Sequence, residues 1–135
     1  MIKILVITHG SFGTEMVRTA ENIVGKQDHV GVIAVNPEDS LSIMCKRTAE
    51  TLESMESDKG ILIFTDMLGG TPCNACLPYS INKNVEIVSG VNLYMLLSAF
   101  INRKNMDIKE LVKKVLADGA KSITNAKELL IQKMK

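Results

Sequence analysis

A histidine, an aspartate and two glycine-rich turns carry the chemistry that this sequence encodes. His9 closes the apolar run at residues 2–7 and is followed by Gly10-Ser11-Phe12-Gly13. Asp66 closes a second apolar run, residues 61–65, and leads into Met67-Leu68-Gly69-Gly70-Thr71-Pro72. A carboxylate that accepts the Nδ1 proton of an imidazole fixes its tautomer and leaves Nε2 as a free lone pair. Such a nitrogen suits a base, a metal ligand or a nucleophile. Glycine loops that open helices present backbone N–H groups, which accommodate a phosphate without lysine or arginine. Gly10 and Ser11 form one such cradle; Gly69, Gly70 and Thr71 form the other. The set points to a phosphoryl group carried on the ring nitrogen of His9. The plainer alternative is a histidine that caps a helix or fills a strand end, and Asp66 with Gly69-Gly70-Thr71-Pro72 weighs against it.

His9 and Asp66 meet only if their two runs lie side by side. Five of the six residues from 2 to 7 are apolar, and residues 30–35, 61–65 and 85–89 repeat that character, as strands buried on both faces do. Helical stripes separate them. The first covers residues 14–24 and stops at Gly25. The second is capped by Asp39 or Ser40 and aligns Leu41, Met44, Cys45, Thr48, Leu52 and Met55. A third has Thr71 as its cap and Pro72 in the first turn, and Pro78 must kink or shorten it. A fourth runs over residues 93–102. The fifth opens with an acidic analogue of a capping box, Asp107 with Glu110, and is ended by Gly119. Residues 122–125 are ambiguous and compatible with a short strand, and 126–135 form a basic helical tail.

Four strands alternating with helices predict a three-layer α/β/α fold around a mainly parallel sheet. With the first strand central, the carboxyl ends of strands one and three meet at the switch point, where open α/β sheets bind ligands. The contact between His9 and Asp66 follows from that topology, not from spacing.

The 135 residues read as one domain, 1–135, long enough to bury a core without disulfides. A net charge of +1 with no long basic cluster gives no drive towards nucleic acid. Three cysteines and no secretory signal favour a reducing, cytoplasmic setting. No apolar stretch approaches the ~20 residues that span a bilayer. Cys73-Asn74-Ala75-Cys76 formally resembles a redox pair, but Cys73 follows a turn already explained by phosphate, so both thiols read as small buried hydrophobes. Cys45 lies on a helix stripe, and His29 sits in a polar loop. The scattered His and Cys residues have no paired metal-ligand spacing, so neither metal nor cofactor is expected. Met67, beside Asp66, is the one methionine placed to line the site.

Thr8-His9-Gly10, Asp66 with Gly69-Gly70-Thr71-Pro72 and Asn74, and Gly90-Val91-Asn92 together resemble the mannose-family enzyme IIA of the bacterial phosphoenolpyruvate-dependent sugar phosphotransferase system. The resemblance extends to about Gly119; Tyr94, where relatives often carry proline, and Pro78 depart from it. It implies a homodimeric α/β fold of strand order 2-1-3-4 with a short antiparallel edge strand exchanged between subunits. It also implies that His9 is phosphorylated by the histidine-containing phosphocarrier protein and relays the group to enzyme IIB, working beside membrane components IIC and IID. By position, Asp66 matches the carboxylate that orients the histidine, and Gly69, Gly70 and Thr71 match the phosphate-facing loop.

Other readings fit less well. A flavodoxin-like carrier lacks a tryptophan or a well-placed tyrosine to sandwich a flavin. A receiver module phosphorylated on Asp66 lacks the acidic pair after strand one. A phosphoglycerate-mutase-like phosphatase lacks its preceding arginine and its second histidine. The phosphocarrier subunit of a dihydroxyacetone kinase, with the same histidine chemistry, is the nearest alternative.

Overall fold

The computed structural model describes residues 1–81 and 84–135. Four parallel strands form one sheet: β1 (Lys3–His9), β2 (Val30–Val35), β3 (Ile61–Thr65) and β4 (Val85–Ser89), in the order β2-β1-β3-β4. The register pairs Ile7 of β1 with Ile33 of β2 and Thr65 of β3, and Thr65 in turn with Ser89 of β4. The chain steps outwards from β1 to β2, then crosses back to β3 and continues to β4. Right-handed crossovers therefore place the first connecting helix on one face and the next two on the other. That is the arrangement found. Helices α1 (Phe12–Val24), α4 (Leu93–Asn102) and α5 (Ile108–Lys121) cover Ile4, Val6, Leu62 and Phe64. Helices α2 (Leu41–Ser54) and α3 (Thr71–Cys76) cover Leu5, Ile7, Ile61 and Ile63. Because β1 and β3 contribute side chains to both layers, they must be apolar at successive positions.

The helix boundaries follow local chemistry. Ser40, not Asp39, caps α2, its hydroxyl accepting the Ile43 N–H at 3.1 Å. The Asp39 carboxylate instead accepts the Asn36 N–H and faces Arg47. The capping box is formed: Asp107 accepts from the Glu110 N–H, and Glu110 reaches back to the Asp107 N–H. Pro78 acts as expected, with α3 ending at Cys76 and a 3-10 turn, Leu77–Ile81, replacing further α-helix.

Three expectations need correction. Thr71 does not cap α3; Gly70 occupies the cap position, and Thr71 and Pro72 are the first two helical residues. Gly119 does not end α5, which continues to Lys121. A Cβ at Gly119 would lie 2.6 Å from Met95 Cγ, so this glycine admits the α4 side chain rather than breaking the helix. Residues 122–125 are not a strand in the single chain. They link α5 to α6 (Ala126–Lys133), and Ile123 is exposed. Extended pairing needs an adjacent sheet edge, and this segment leaves α5 without reaching one.

A buried arginine closes the far end of the sheet. Arg103, just after α4, is 2% exposed and donates to the carbonyls of Ile2, His29 and Asp28 and to Gln27 Oε1. These bonds tie α4 to the starts of β1 and β2. Burial pulls its pKa below the ordinary value, and the neighbouring charge of Asp28 opposes that change.

Candidate functional site

His9 is the last residue of β1, and Asp66 is the first beyond β3. Adjacency of the two strands brings them together. Asp66 Oδ2 accepts two hydrogen bonds from one residue, from the His9 backbone N–H at 3.0 Å and from Nδ1 at 2.8 Å. The backbone bond fixes the carboxylate at the strand end, and the ring bond orients the imidazole. Asp66 is 12% exposed at its side chain, whereas His9 is 50% exposed. The carboxylate is thus sheltered while the ring reaches solvent.

Burial alone would raise the Asp66 pKa, but the hydrogen bonds from the His9 N–H and ring, the charge of that ring and the Asp66 N–H together hold it below the usual value. Asp66 is therefore ionised near neutral pH and can only accept. Nδ1 must carry the proton, and Nε2 is left as the outward lone pair.

The first turn is braced by Thr8, whose buried hydroxyl accepts the Gly13 N–H at 2.7 Å. A Cβ on Gly13 would sit 2.9 Å from that hydroxyl and 3.0 Å from Val6, so glycine lets α1 lie directly on β1. Gly10 adopts φ +54° and donates its N–H to the Val35 carbonyl at 2.8 Å. Ser11 takes the cap position of α1 without a side-chain capping bond, leaving its exposed hydroxyl beside the site.

The second turn approaches the ring itself. A Cβ on Gly70 would lie 3.1 Å from His9 Cε1 and 3.7 Å from Nε2. Gly69 has φ +82°, in the region that favours glycine, and its carbonyl accepts from Asn74 Nδ2 at 3.4 Å. Thr71 follows as the first residue of α3. Met67 and Leu68, between Asp66 and this loop, are exposed, as is Phe12 on the other turn.

All the residues singled out near His9 thus fall at the carboxyl end of β1 and β3. The bracing by Thr8 and Gly13 has a legible signal, a hydroxyl five residues before a glycine at a strand-to-helix turn, that the sequence reading did not use. Other singled-out residues lie elsewhere. Cys73 and Cys76 are buried and unpaired, and the Cys76 thiol donates to the Pro72 carbonyl at 3.2 Å. Burial, with Cys73 and Cys45 nearby, pushes that thiol up to about 12, so it stays protonated and unreactive. His29 is exposed, with φ 57°, and contributes its carbonyl to the Ile4 N–H. Among the described residues, no group of three or more His, Cys, Asp or Glu side chains is arranged to hold a metal ion. Nor is any described helix long and apolar enough to cross a membrane.

Comparison with known proteins identifies the family and the fold. The family described as "PTS system fructose IIA component" matches residues 3–116. The chain is 28% identical over 134 residues to the mannose-specific EIIAB component of Escherichia coli K12, covering 98% of this chain and 42% of that protein. It therefore spans less than half the length of that curated relative. Among solved structures, the phosphotransferase system component EIIA of Streptococcus agalactiae superposes with a TM-score of 0.83 at 32% identity, over 95% of this chain and 99% of that one. The mannose/sorbose-specific IIA subunit of Enterococcus faecalis gives 0.84 at 25% identity, over 92% and 93%. With the family match over most of its length, the chain belongs to the fructose/mannose IIA component family of the phosphotransferase system.

Proposed function

We propose that the protein is a phosphocarrier of sugar uptake that accepts a phosphoryl group on Nε2 of His9 and passes it to an enzyme IIB. The observation that carries this reading is the double hydrogen bond from His9 to Asp66 Oδ2 on a half-exposed ring. The donor would be the histidine-containing phosphocarrier protein, and the acceptor would work with membrane components IIC and IID. The relatives described above are named as phosphotransferase-system components, which favours this reading over a dihydroxyacetone kinase subunit.

Each transfer is an in-line displacement. The Nε2 lone pair attacks phosphorus while the P–N bond to the donor imidazole breaks, and the donor nitrogen keeps the electron pair. The Nδ1 proton stays on the ring throughout, held by Asp66, so no proton must leave as the bond forms. Positive charge developing on the ring is stabilised by the adjacent carboxylate. Backbone N–H groups of Gly69, Gly70 and Thr71, with the Ser11 hydroxyl, would receive the phosphoryl oxygens; Gly10, expected to join them, has its N–H committed to the Val35 carbonyl and serves to turn the chain. Catalysis on this account is positioning and electrostatics.

A homodimer suits the fold. Within the described residues β4 is an edge strand, and the tail beyond α5 exposes Ile123, Leu130 and Met134. Residues 122–125 of one subunit would pair with the sheet edge of its partner, a strand addition that covers an open ladder. Sedimentation of the full chain against a chain ending at residue 121 tests this arrangement, and an unchanged monomer in both would remove it.

Reconstitution with phosphoenolpyruvate, enzyme I and the phosphocarrier protein, read by intact mass, tests the central reading. One acid-labile phosphoryl group on the wild type and none on His9→Ala is the expected result. Phosphate on His9→Ala, or none on the wild type with cognate partners, would overturn it.

A further inference from the structure

The α2/α3 face of the sheet is apolar until the last step of two strands. On that face β3 presents Ile61 and Ile63, and β4 presents Val85 and Ile87. The next positions in the alternation are Thr65 and Ser89, which are partners in the parallel ladder. Thr65 is fully buried and Ser89 half-buried. Among the described residues neither hydroxyl has a hydrogen-bond partner, and Asp66 Oδ1, one residue further on, is buried in the same condition. Buried polar groups are nearly always bonded, so three such oxygens at one end of two neighbouring strands call for a common partner.

Their placement says what that partner is. Adjacent strands run about 4.8 Å apart, which lets two facing hydroxyls share a single intervening water. Leu5 and Ile7 of β1 point to this face, and His9 continues the same alternation. Ile7 is the register partner of Thr65, so the His9 ring and the carboxylate bound to it stand one step above the Thr65 hydroxyl. Gly70, at the start of α3 on this face, lies against the same ring. The other Asp66 oxygen, Oδ2, is taken by His9, leaving Oδ1 as the carboxylate's open acceptor, buried one residue beyond Thr65.

We propose that Thr65 and Ser89 hold an internal water that donates to Asp66 Oδ1, which makes both hydroxyls positioning residues for His9. The water donates one hydrogen to Oδ1 and exchanges its remaining bonds with the two hydroxyls, so every polar group is satisfied. With Oδ1 anchored, the carboxylate cannot rotate Oδ2 away from the His9 N–H groups. The kinetic consequence rests on the phosphocarrier reading; the hydrogen-bonding one does not.

The test is the pair Thr65→Val with Ser89→Ala, near-isosteric and apolar, alongside Thr65→Ser, which keeps the hydroxyl. Nitrogen-15 NMR of the His9 ring reports its tautomer, and thermal unfolding checks the fold. The double variant should lose the fixed Nδ1–H tautomer and exchange that proton faster. It should also transfer phosphate roughly three- to tenfold more slowly, the equivalent of one hydrogen bond, at unchanged KM for the donor. Thr65→Ser should retain wild-type behaviour. A wild-type Nδ1–H signal in the folded double variant would overturn the proposal. So would a high-resolution crystal structure of the wild type with no water among the three oxygens, and that measurement decides the matter if the variant does not fold. A wild type that never accepts phosphate defeats the carrier reading while leaving the NMR and crystallographic results to stand alone.

Discussion

Asp66 Oδ2 accepts both the backbone N–H and the ring Nδ1 of His9, at 3.0 and 2.8 Å, across two adjacent parallel strands. The same oxygen therefore fixes where the strand ends and which ring nitrogen carries the proton. Replacing the acid with Asp66→Asn keeps the shape and removes the charge. A charge-assisted hydrogen bond contributes about 1.5–3 kcal/mol, so phosphoryl transfer should slow by roughly ten- to a hundredfold. Rapid-quench kinetics with the reconstituted donor measure this directly. A variant as fast as the wild type would mean that the carboxylate does not serve the transfer.

The same pair makes stability depend on pH in a definite direction. The Asp66 carboxyl titrates below its ordinary value in the folded chain: burial opposes this, but the His9 bonds outweigh it. A carboxylate with a lowered folded pKa stabilises the fold above its unfolded value of about 3.9, and the contribution disappears as pH falls through the folded value. Urea unfolding of wild type and Asp66→Asn should show a stability gap at about pH 5 that closes as pH falls below about 4. A gap that persists undiminished into stronger acid would show that Asp66 is not the titrating group.

Gly70 offers a steric test of the approach to Nε2. The Cβ introduced by Gly70→Ala would sit 3.1 Å from His9 Cε1, closer than an ordinary contact, so either the ring or the loop must move by a few tenths of an ångström. The residue is not in the core, and its φ of −84° is open to alanine, so the fold should survive. Transfer should fall on the order of tenfold, because small misplacements of a reacting atom are costly. Unchanged kinetics with a well-folded protein would argue that the loop stands clear of the phosphoryl group.

The contact of His9 with Asp66 was legible in the sequence because both residues end mainly apolar runs, which become neighbours once the first strand is placed centrally. Pro78 likewise announced a shortened α3. Other features depend on packing that no local pattern carries. Gly119 resembles a helix stop, yet its role is set by Met95 on another helix. Residues 122–125 contain Ile123 and Thr124, which favour extended structure, but a strand needs an edge that the single chain does not bring to them. The orphaned hydroxyls of Thr65 and Ser89 emerge only when the register sets them side by side.

Arg103 was the least visible residue in the sequence and makes the strongest stability prediction. Its guanidinium serves carbonyls of Ile2, Asp28 and His29, which lie 74–101 residues away along the chain, and Phe100 packs against it with the ring centroid 5.6 Å from Cζ. Arg103→Met preserves the aliphatic stem and removes the donors, so the buried Ile2 carbonyl and the part-buried Asp28 carbonyl lose this partner, while the His29 carbonyl keeps the Ile4 N–H. Each such loss costs about 1–3 kcal/mol, so a destabilisation of about 3 kcal/mol or more is expected. All these contacts lie at the amino ends of β1 and β2, opposite His9. Phosphorylation per folded molecule should therefore remain close to wild type at low temperature while the unfolding midpoint drops. Measuring both in one preparation separates the two ends of the sheet: a loss of transfer without a loss of stability would place Arg103 in the site rather than in the scaffold.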